Sequence, residues 1–286
     1  MADKAPLVSL LMTAYNREKY IGDAIESALN STYRNFELLI CDDCSTDATV
    51  SIARSFEEKD SRIRVYVNEV NLKQFQNRNK AASLAKGEYI YFADSDDTLL
   101  PDGLERLVAT MNSFPGSSFG MNYRQSDKVF ELSSKEAIHN HFFKKPFLTI
   151  GPGGTIMRRD FFLSIGGYPT KYEAVSDMYF NLKACCQSPI VLIPFEFMNY
   201  RVHEGQELNN PYSYLYNGYL YLTDALKELP LMLTEKELDW INRKCKRRFL
   251  VNCTRYFLRT RDFEKTRELV KRTGFGPRDV FLAIFN

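Results

Sequence analysis

The chain contains no run of about 18 apolar residues, so no segment of it reads as a membrane-spanning helix. Its opening residues, Met1-Ala2-Asp3-Lys4-Ala5-Pro6, lack the charged-then-apolar pattern of a secretion signal and lead straight into a strand-like run. The expected compartment is therefore the cytoplasm. There is no internal repeat and no low-complexity stretch, which excludes a solenoid or a disordered tract. Among six cysteines only Cys41 and Cys44 have CxxC spacing, with no second pair and no neighbouring histidine to complete a zinc site. Cys41 falls in an apolar strand pattern, where a reduced thiol packs as a small hydrophobe, and reduced thiols suit the cytosol.

What is present is ordinary globular material. The 286 residues are 44% hydrophobic and 26% charged, enough for one large domain or for a domain with an appendage. Net charge is only +2, but Arg243 to Arg278 holds thirteen Lys/Arg against three Asp/Glu.

The first half alternates strand and helix signals. Leu7–Met12, Phe36–Cys41, Ile63–Val67 and Tyr89–Ala93 are short apolar runs that read as buried strands. Between and after them, Tyr20–Leu29, Ala48–Phe56, Gln76–Ala85 and Pro101–Asn112 carry helical spacing or helix-start residues. Strands separated by helices of about 10 residues predict repeated βαβ units and a parallel sheet. Ligands of such sheets bind beyond the carboxyl ends of the strands. The polar clusters Thr13-Ala14-Tyr15-Asn16, Asp42-Asp43 and Asp94-Ser95-Asp96-Asp97 fall at those ends, so the topology gathers them at one edge. Residues 119–146 give no clear pattern. Gly151–Thr155 reads as a flexible loop, Val175–Cys186 as a helix with Asp177 near its start, Ile190–Ile193 as a strand, and Tyr212 onward as helical to the end.

Asp94-Ser95-Asp96 places two carboxylates two residues apart at a strand end, where a turn can bring them together. Mg²⁺ and Mn²⁺ are commonly held by one or two carboxylates plus a diphosphate. The same acids could instead cap the helix opening at Pro101. Asp42 can accept from a ribose hydroxyl or a base N–H, while Asp43 could cap the following helix. Arg78 could reach a diphosphate or remain a solvated surface arginine. His139 and His141 form an HxH pair with no evident third ligand, and read as an ordinary loop or helix pair.

Taken in order, Thr13-Ala14-Tyr15-Asn16, Asp42-Asp43-Cys44-Ser45-Thr46-Asp47, Asn71 with Arg78-Asn79, and Asp94-Ser95-Asp96-Asp97 resemble the nucleotide-sugar-binding half of family 2 glycosyltransferases. Gly166-Gly167-Tyr168, Ser176-Asp177 and Tyr200-Arg201-Val202-His203 extend the match over roughly residues 6 to 206. The resemblance implies an α/β fold of the GT-A type, with a mainly parallel central sheet flanked by helices. The catalytic domain would cover residues 1–210: about 1–115 for the nucleotide sugar and about 116–210 for the acceptor. Residues 211–286 would form a helical C-terminal region.

It further implies a UDP-sugar donor, Mn²⁺ or Mg²⁺, and a saccharide or lipid-linked saccharide acceptor, with inversion at the anomeric centre. Thr13, Ala14, Tyr15, Asn16 and Asp42 would contact the uracil and ribose, and Arg78 the nucleotide or its phosphates. Asp94 and Ser95 would face the ribose or sugar, and Asp96 would ligate the metal. Asp177 would be the general base, and His203 a further metal ligand or phosphate contact. Two positions depart from the family pattern: Lys73 stands where a glycine is usual after Asn71, and Ser176 where a glutamate usually precedes the base.

A nucleotidyltransferase also needs metal carboxylates on a parallel sheet, but Thr13–Asn16 is not the Gly-rich phosphate loop that such an enzyme usually carries. A non-catalytic nucleotide-sugar-binding protein would have no need of both Asp96 and Asp177. The basic C-terminal segment reads either as an interfacial helix at the inner face of a membrane or as a helix packed on the catalytic domain with a solvated face. No nucleic-acid partner is expected, since no reading motif accompanies the charge. An oligomer is compatible with the sequence.

Overall fold

A computed structural model describes residues 5–203 and 211–275. The strands and helices run β1 (Val8–Ala14), α1 (Ile21–Leu29), β2 (Phe36–Asp42), α2 (Thr49–Glu57), β3 (Ile63–Val67), α3 (Gln74–Leu84), β4 (Tyr89–Phe92), β5 (Thr98–Leu99) and α4 (Gly103–Asn112). They continue with β6 (Phe119–Asn122), β7 (Phe130–Leu132), α5 (Ser134–Phe143), β8 (Thr155–Arg158), α6 (Arg159–Ser164), α7 (Ser176–Gln187), β9 (Ile190–Ile193) and β10 (Met198–Asn199). Three helices follow: α8 (Pro211–Glu228), α9 (Glu235–Thr260) and α10 (Phe263–Thr273).

Among the described residues one eight-stranded sheet has the order β3-β2-β1-β4-β8-β6-β9-β7. β3, β2, β1 and β4 are parallel, β8 is antiparallel to β4 and β6, and β9 is parallel to β6. The edge strand β7 runs against β9. β1, β2 and β4 are buried on both faces, and this is why they read as apolar runs, whereas β3 alternates buried Ile63 and Val65 with exposed Arg64. Alternate residues serve opposite layers. Leu10, Met12, Leu38 and Ile40 pack with α1, α2 and α4, while Leu11, Leu39, Ile90 and Phe92 pack with α3, α6 and α7.

The pairing of Val8 with Phe36 and of Ala14 with Asp42 keeps β1 and β2 in step to their last residues. Ala14 and Asp42 therefore end side by side, and Asp43 N–H closes the edge on Ala14 O at 2.8 Å. A small antiparallel ribbon of β5 and β10 ties the chain after Asp97 to the chain before Tyr200.

The structure corrects several sequence expectations. Gly151–Thr155 is not a loose loop: Pro152–Gly154 is a buried 3₁₀ turn closed by Gly154 N–H on Gly151 O at 3.0 Å, and Thr155 already opens β8. The acids at 94–97 do not cap a helix, because β5 intervenes and α4 starts only at Gly103. The C-terminal region is helical, but broken at Leu229–Thr234 and at Arg261–Asp262. Its part beyond residue 275, including Arg278, lies outside the described residues. No helix among the described residues is long and apolar enough to cross a membrane.

Candidate active site

The edge formed by β1, β2 and β4 is stitched into a rigid floor by local polar bonds. Ser95 Oγ donates to Thr13 O at 2.8 Å, joining the end of β4 to the end of β1. Asn16 adopts a left-handed backbone (φ 52°), which a short polar side chain tolerates. Its N–H donates to Ser45 Oγ at 2.8 Å and its Oδ1 accepts from Thr46 N–H at 2.9 Å. Arg17 N–H donates to Thr49 Oγ1 at 2.7 Å. These bonds fasten the β1–α1 loop to the β2–α2 loop and leave Tyr15 exposed above them.

Asp42 is buried, and its carboxylate accepts from Ser45 N–H at 2.9 Å and from the Ser45 hydroxyl. It thus shapes the turn that holds Asn16. Asp43 does not cap α2: its Oδ1 accepts from Leu72 N–H at 2.7 Å and Asn68 Nδ2 at 2.8 Å, which draws the β3–α3 loop across the site. Lys73, in that loop, has φ 66°, the conformation that a glycine would adopt without strain. Cys41 lies wholly inside the core, where burial pushes its thiol up to about 12.

Arg78 is not a surface arginine. It is 5% exposed on α3, its Nη2 pairs with Asp94 Oδ1, and its Nε has no hydrogen-bond partner among the described residues. Burial raises the Asp94 carboxyl above its usual range, with the Arg78 cation pulling the other way and the Asp96 charge adding to the rise. A buried guanidinium N–H without a partner is a donor without its acceptor, and phosphate oxygen is an acceptor that guanidinium geometry suits.

Asp96 and His203, 107 residues apart, meet at the rim: His203 Nε2 lies 2.9 Å from Asp96 Oδ2. The same oxygen takes Arg17 Nε at 3.2 Å. The His203 ring stacks on Tyr20 with centroids 4.8 Å apart. Asp97, which could have served a helix start, instead accepts Arg201 N–H at 2.9 Å and so anchors the segment that delivers His203. With Asn16, Arg17, Glu18, Lys19 and Asp47, His203 and Tyr20 line an open cleft of about 540 Å³.

Asp177 is buried in the first turn of α7. Its Oδ1 accepts Met178 N–H at 2.8 Å. Burial pushes its carboxyl up to about 7, partly offset by the Met178 N–H and the Arg78 charge, and assisted by Asp94. Both Asp94 and Asp177 come close to the segment 151–153. A Cβ placed on Gly151 would stand 3.7 Å from Asp177 Oδ2, and one on Gly153 would stand 3.1 Å from Asp94 Oδ2. Glycine at both positions leaves no side chain of this segment against these oxygens. Ser176, beside the acid, is fully buried and its Oγ has no partner among the described residues. Asn79 holds the Gly166–Tyr168 turn in place through Tyr168 N–H at 2.9 Å and Tyr168 O at 2.7 Å.

His141 turns inward and accepts Phe147 N–H and Leu148 N–H, each at 3.1 Å, through Nδ1. Burial lowers it to about 4, so it is a neutral structural acceptor. His139 faces out toward Glu237 at 3.8 Å.

Sequence reasoning missed Arg17, Tyr20, Gly151 and Gly153. Arg17 directly follows the Tyr15-Asn16 pair at a strand end, which was the available signal. The glycines were hidden by being read as flexibility.

Set against known proteins, the profile of Glycosyl transferase family 2 matches residues 9–166, more than half of the chain, and the chain belongs to this family. The bacterial relatives it matches at 40% identity are covered over 44%, 42% and 39% of their length, so the chain spans less than half of them. It is 35% identical over 145 residues to WfaP of Escherichia coli, a UDP-Glc:alpha-D-GlcNAc-diphosphoundecaprenol beta-1,3-glucosyltransferase, covering 51% of this chain and 50% of that one. The fold resembles S. aureus TarS 1-349 in complex with UDP-GlcNAc, with TM-score 0.74, 20% identity, and 97% and 81% of the two chains covered. It also resembles the Pyrobaculum calidifontis mannosyltransferase PcManGT in complex with GDP-Man and Mn²⁺, with TM-score 0.66, 14% identity, and 99% and 87% covered. These two likenesses establish the GT-A fold.

Proposed function

We propose that this protein is an inverting glycosyltransferase that moves a sugar from a UDP-sugar to a hydroxyl of a saccharide or lipid-linked saccharide. The observation that supports the reading is the segment 151–153, where a Cβ on Gly151 would stand 3.7 Å from Asp177 Oδ2 and one on Gly153 would stand 3.1 Å from Asp94 Oδ2, so that both acids border one short stretch of chain. A donor sugar seated by Asp94 would present its anomeric carbon toward Asp177. Asp177 takes the proton of the acceptor hydroxyl as that oxygen attacks, and a carboxyl held at about 7 is matched to this work near neutral pH. One displacement from the face opposite the leaving group inverts the anomeric centre. Arg78 offers its unpartnered Nε to the departing diphosphate, where negative charge grows as the glycosidic bond breaks.

The donor set at the rim fits Mn²⁺ or Mg²⁺. No group of three His, Cys, Asp or Glu side chains suited to a metal occurs among the described residues. A carboxylate and an imidazole nitrogen 2.9 Å apart form a two-ligand half-site, the kind that substrate phosphates complete. Asp96 and His203 would hold the ion. When bound, it supplies positive charge to the leaving diphosphate. Arg17 supplies part of that charge already, through its contact with the same Asp96 oxygen.

Support for UDP comes from the UDP-GlcNAc in the TarS structure, and support for a lipid-linked acceptor from the name of the E. coli relative. A thermal-shift panel of UDP-, GDP- and dTDP-sugars with Mn²⁺ tests the donor. Stabilisation by UDP-sugars above the others is expected, and an equal or larger response to GDP-sugars contradicts the assignment.

A further inference from the structure

The outer face of α9 is not used by the chemistry above. One side of this helix, with Ile241, Cys245, Phe249, Leu250 and Cys253, is buried against α8 and α10. At about 100° per residue, Trp240, Arg247 and Leu258 fall together on the opposite side, with Arg243, Lys244 and Arg255 beside them. Trp240 is 42% exposed and Leu258 56% exposed, and Phe263 at the start of α10 is 66% exposed. Lys244 Nζ sits over the Trp240 ring at 4.5 Å, and the ring's other neighbour is Phe143 at 5.3 Å. From Trp240 to Arg261 the chain has eight Lys or Arg and no Asp or Glu.

We infer that this face is a docking surface for an anionic lipid bilayer. Its occupant is chosen by charge and by the apolar stripe together. A second copy docked by the same face would bring Arg243, Lys244, Arg247 and Arg255 against the same four cations, which is repulsive. A nucleic acid would satisfy the cations but offers nothing to the exposed leucine beside them. Anionic headgroups satisfy the cations, while Trp240 and Leu258 enter the boundary between headgroups and acyl chains, the depth at which tryptophan is favoured. The surface is connected to the chemistry: Tyr221 of α8 lies within electrostatic reach of both Asp177 and the Cys245 thiol on the inner side of α9. The docked face is therefore one helix away from the candidate base.

Trp240 is the chain's only tryptophan, so its emission reports on this face alone. The experiment adds vesicles of phosphatidylcholine, or of phosphatidylcholine and phosphatidylglycerol in equal amounts, to the full chain without donor or acceptor. Expected are co-sedimentation with the anionic vesicles only, a blue shift of Trp240 emission, and quenching by brominated acyl chains. Replacing Arg243, Arg247 and Arg255 together by Gln should lower vesicle affinity about a hundredfold, at about fivefold per cation. Leu258→Asn should lower it with the charge unchanged, and unaltered circular dichroism shows that both variants fold.

Absence of vesicle binding by the wild-type chain overturns the inference, as does equal binding to neutral vesicles with no effect of the triple variant. Tighter binding to a random RNA than to vesicles also overturns it, as does a dimer in solution that Leu258→Asn dissolves. Because no sugar is present, failure here leaves the transferase reading standing, and failure of that reading leaves this result intact.

Discussion

Arg78 pairs with Asp94 through one arm of its guanidinium and leaves the Nε of the same group buried without an acceptor. A structural ion pair would be expected to satisfy both, since an unpaired buried donor costs about 1–3 kcal/mol. The arrangement is that of a group waiting for a ligand oxygen. Arg78→Lys keeps the charge near Asp94 but loses the planar fork. It should weaken UDP binding by about tenfold or more, one charge-assisted bond, as read by calorimetry. Unchanged affinity would assign Arg78 to the fold alone.

The Asp177 carboxyl, held at about 7, sets a pH dependence. The base is competent only when ionised, so kcat/KM should rise as pH increases through about 7, and no ordinary carboxylate would place the limb there. Stability moves the other way. The folded value is raised above the ordinary 3.8, so the contribution of this group to stability is complete below the unfolded value and lost as pH rises through the folded one. Asp177→Asn escapes that loss. Its melting temperature should exceed that of the wild type at about pH 8 and approach it at about pH 4, as followed by calorimetry.

Gly151 separates a steric role from a folding role. Its backbone, φ −69° and ψ 171°, suits any residue, and an added Cβ would meet only Asp177 Oδ2, at 3.7 Å. Gly151→Ala should therefore melt within about 1 kcal/mol of the wild type, as an unstrained surface change does. It should nevertheless lose transfer by tenfold or more in roughly the measure that a shielded base predicts. A variant with normal kcat/KM would mean that substrate does not approach Asp177 across this turn.

Asp96 and His203 share the proposed ion. Asp96→Ala should abolish the Mn²⁺-dependent tightening of UDP binding, and His203→Ala should weaken it while leaving the metal-free affinity near that of the wild type. Titration of UDP with and without Mn²⁺ gives both numbers. Retention of the Mn²⁺ effect in Asp96→Ala removes the metal from this carboxylate.

Much of the fold is legible because β1, β2 and β4 are buried on both faces, so Leu10, Leu38 and Ile90 stand in apolar runs, while Ile63 and Val65 of β3 show the alternation of a half-buried strand. Residues 119–146 are not, since β6 and β7 have four and three residues and pair with β9, about 70 and about 60 positions away, a contact that local periodicity does not encode. The site follows the same division. Asp94, Asp96 and Asp177 are singled out by the resemblance to family 2 glycosyltransferases and not by position, because acids at a strand end or helix start serve equally well as caps. The commitment of Asp42 to Ser45, the burial of Arg78 and the convergence of His203 on Asp96 depend on side-chain direction and on a contact across 107 residues. Gly151 was misread because glycine signals backbone freedom and open space alike.

The most direct test is single-turnover transfer from a UDP-sugar by Asp177→Asn, with donor affinity measured on the same sample. The account predicts donor binding within about twofold of the wild type and transfer lowered by about 10²–10⁴, the loss of a general base. Transfer at the wild-type rate, with donor bound normally, would contradict it.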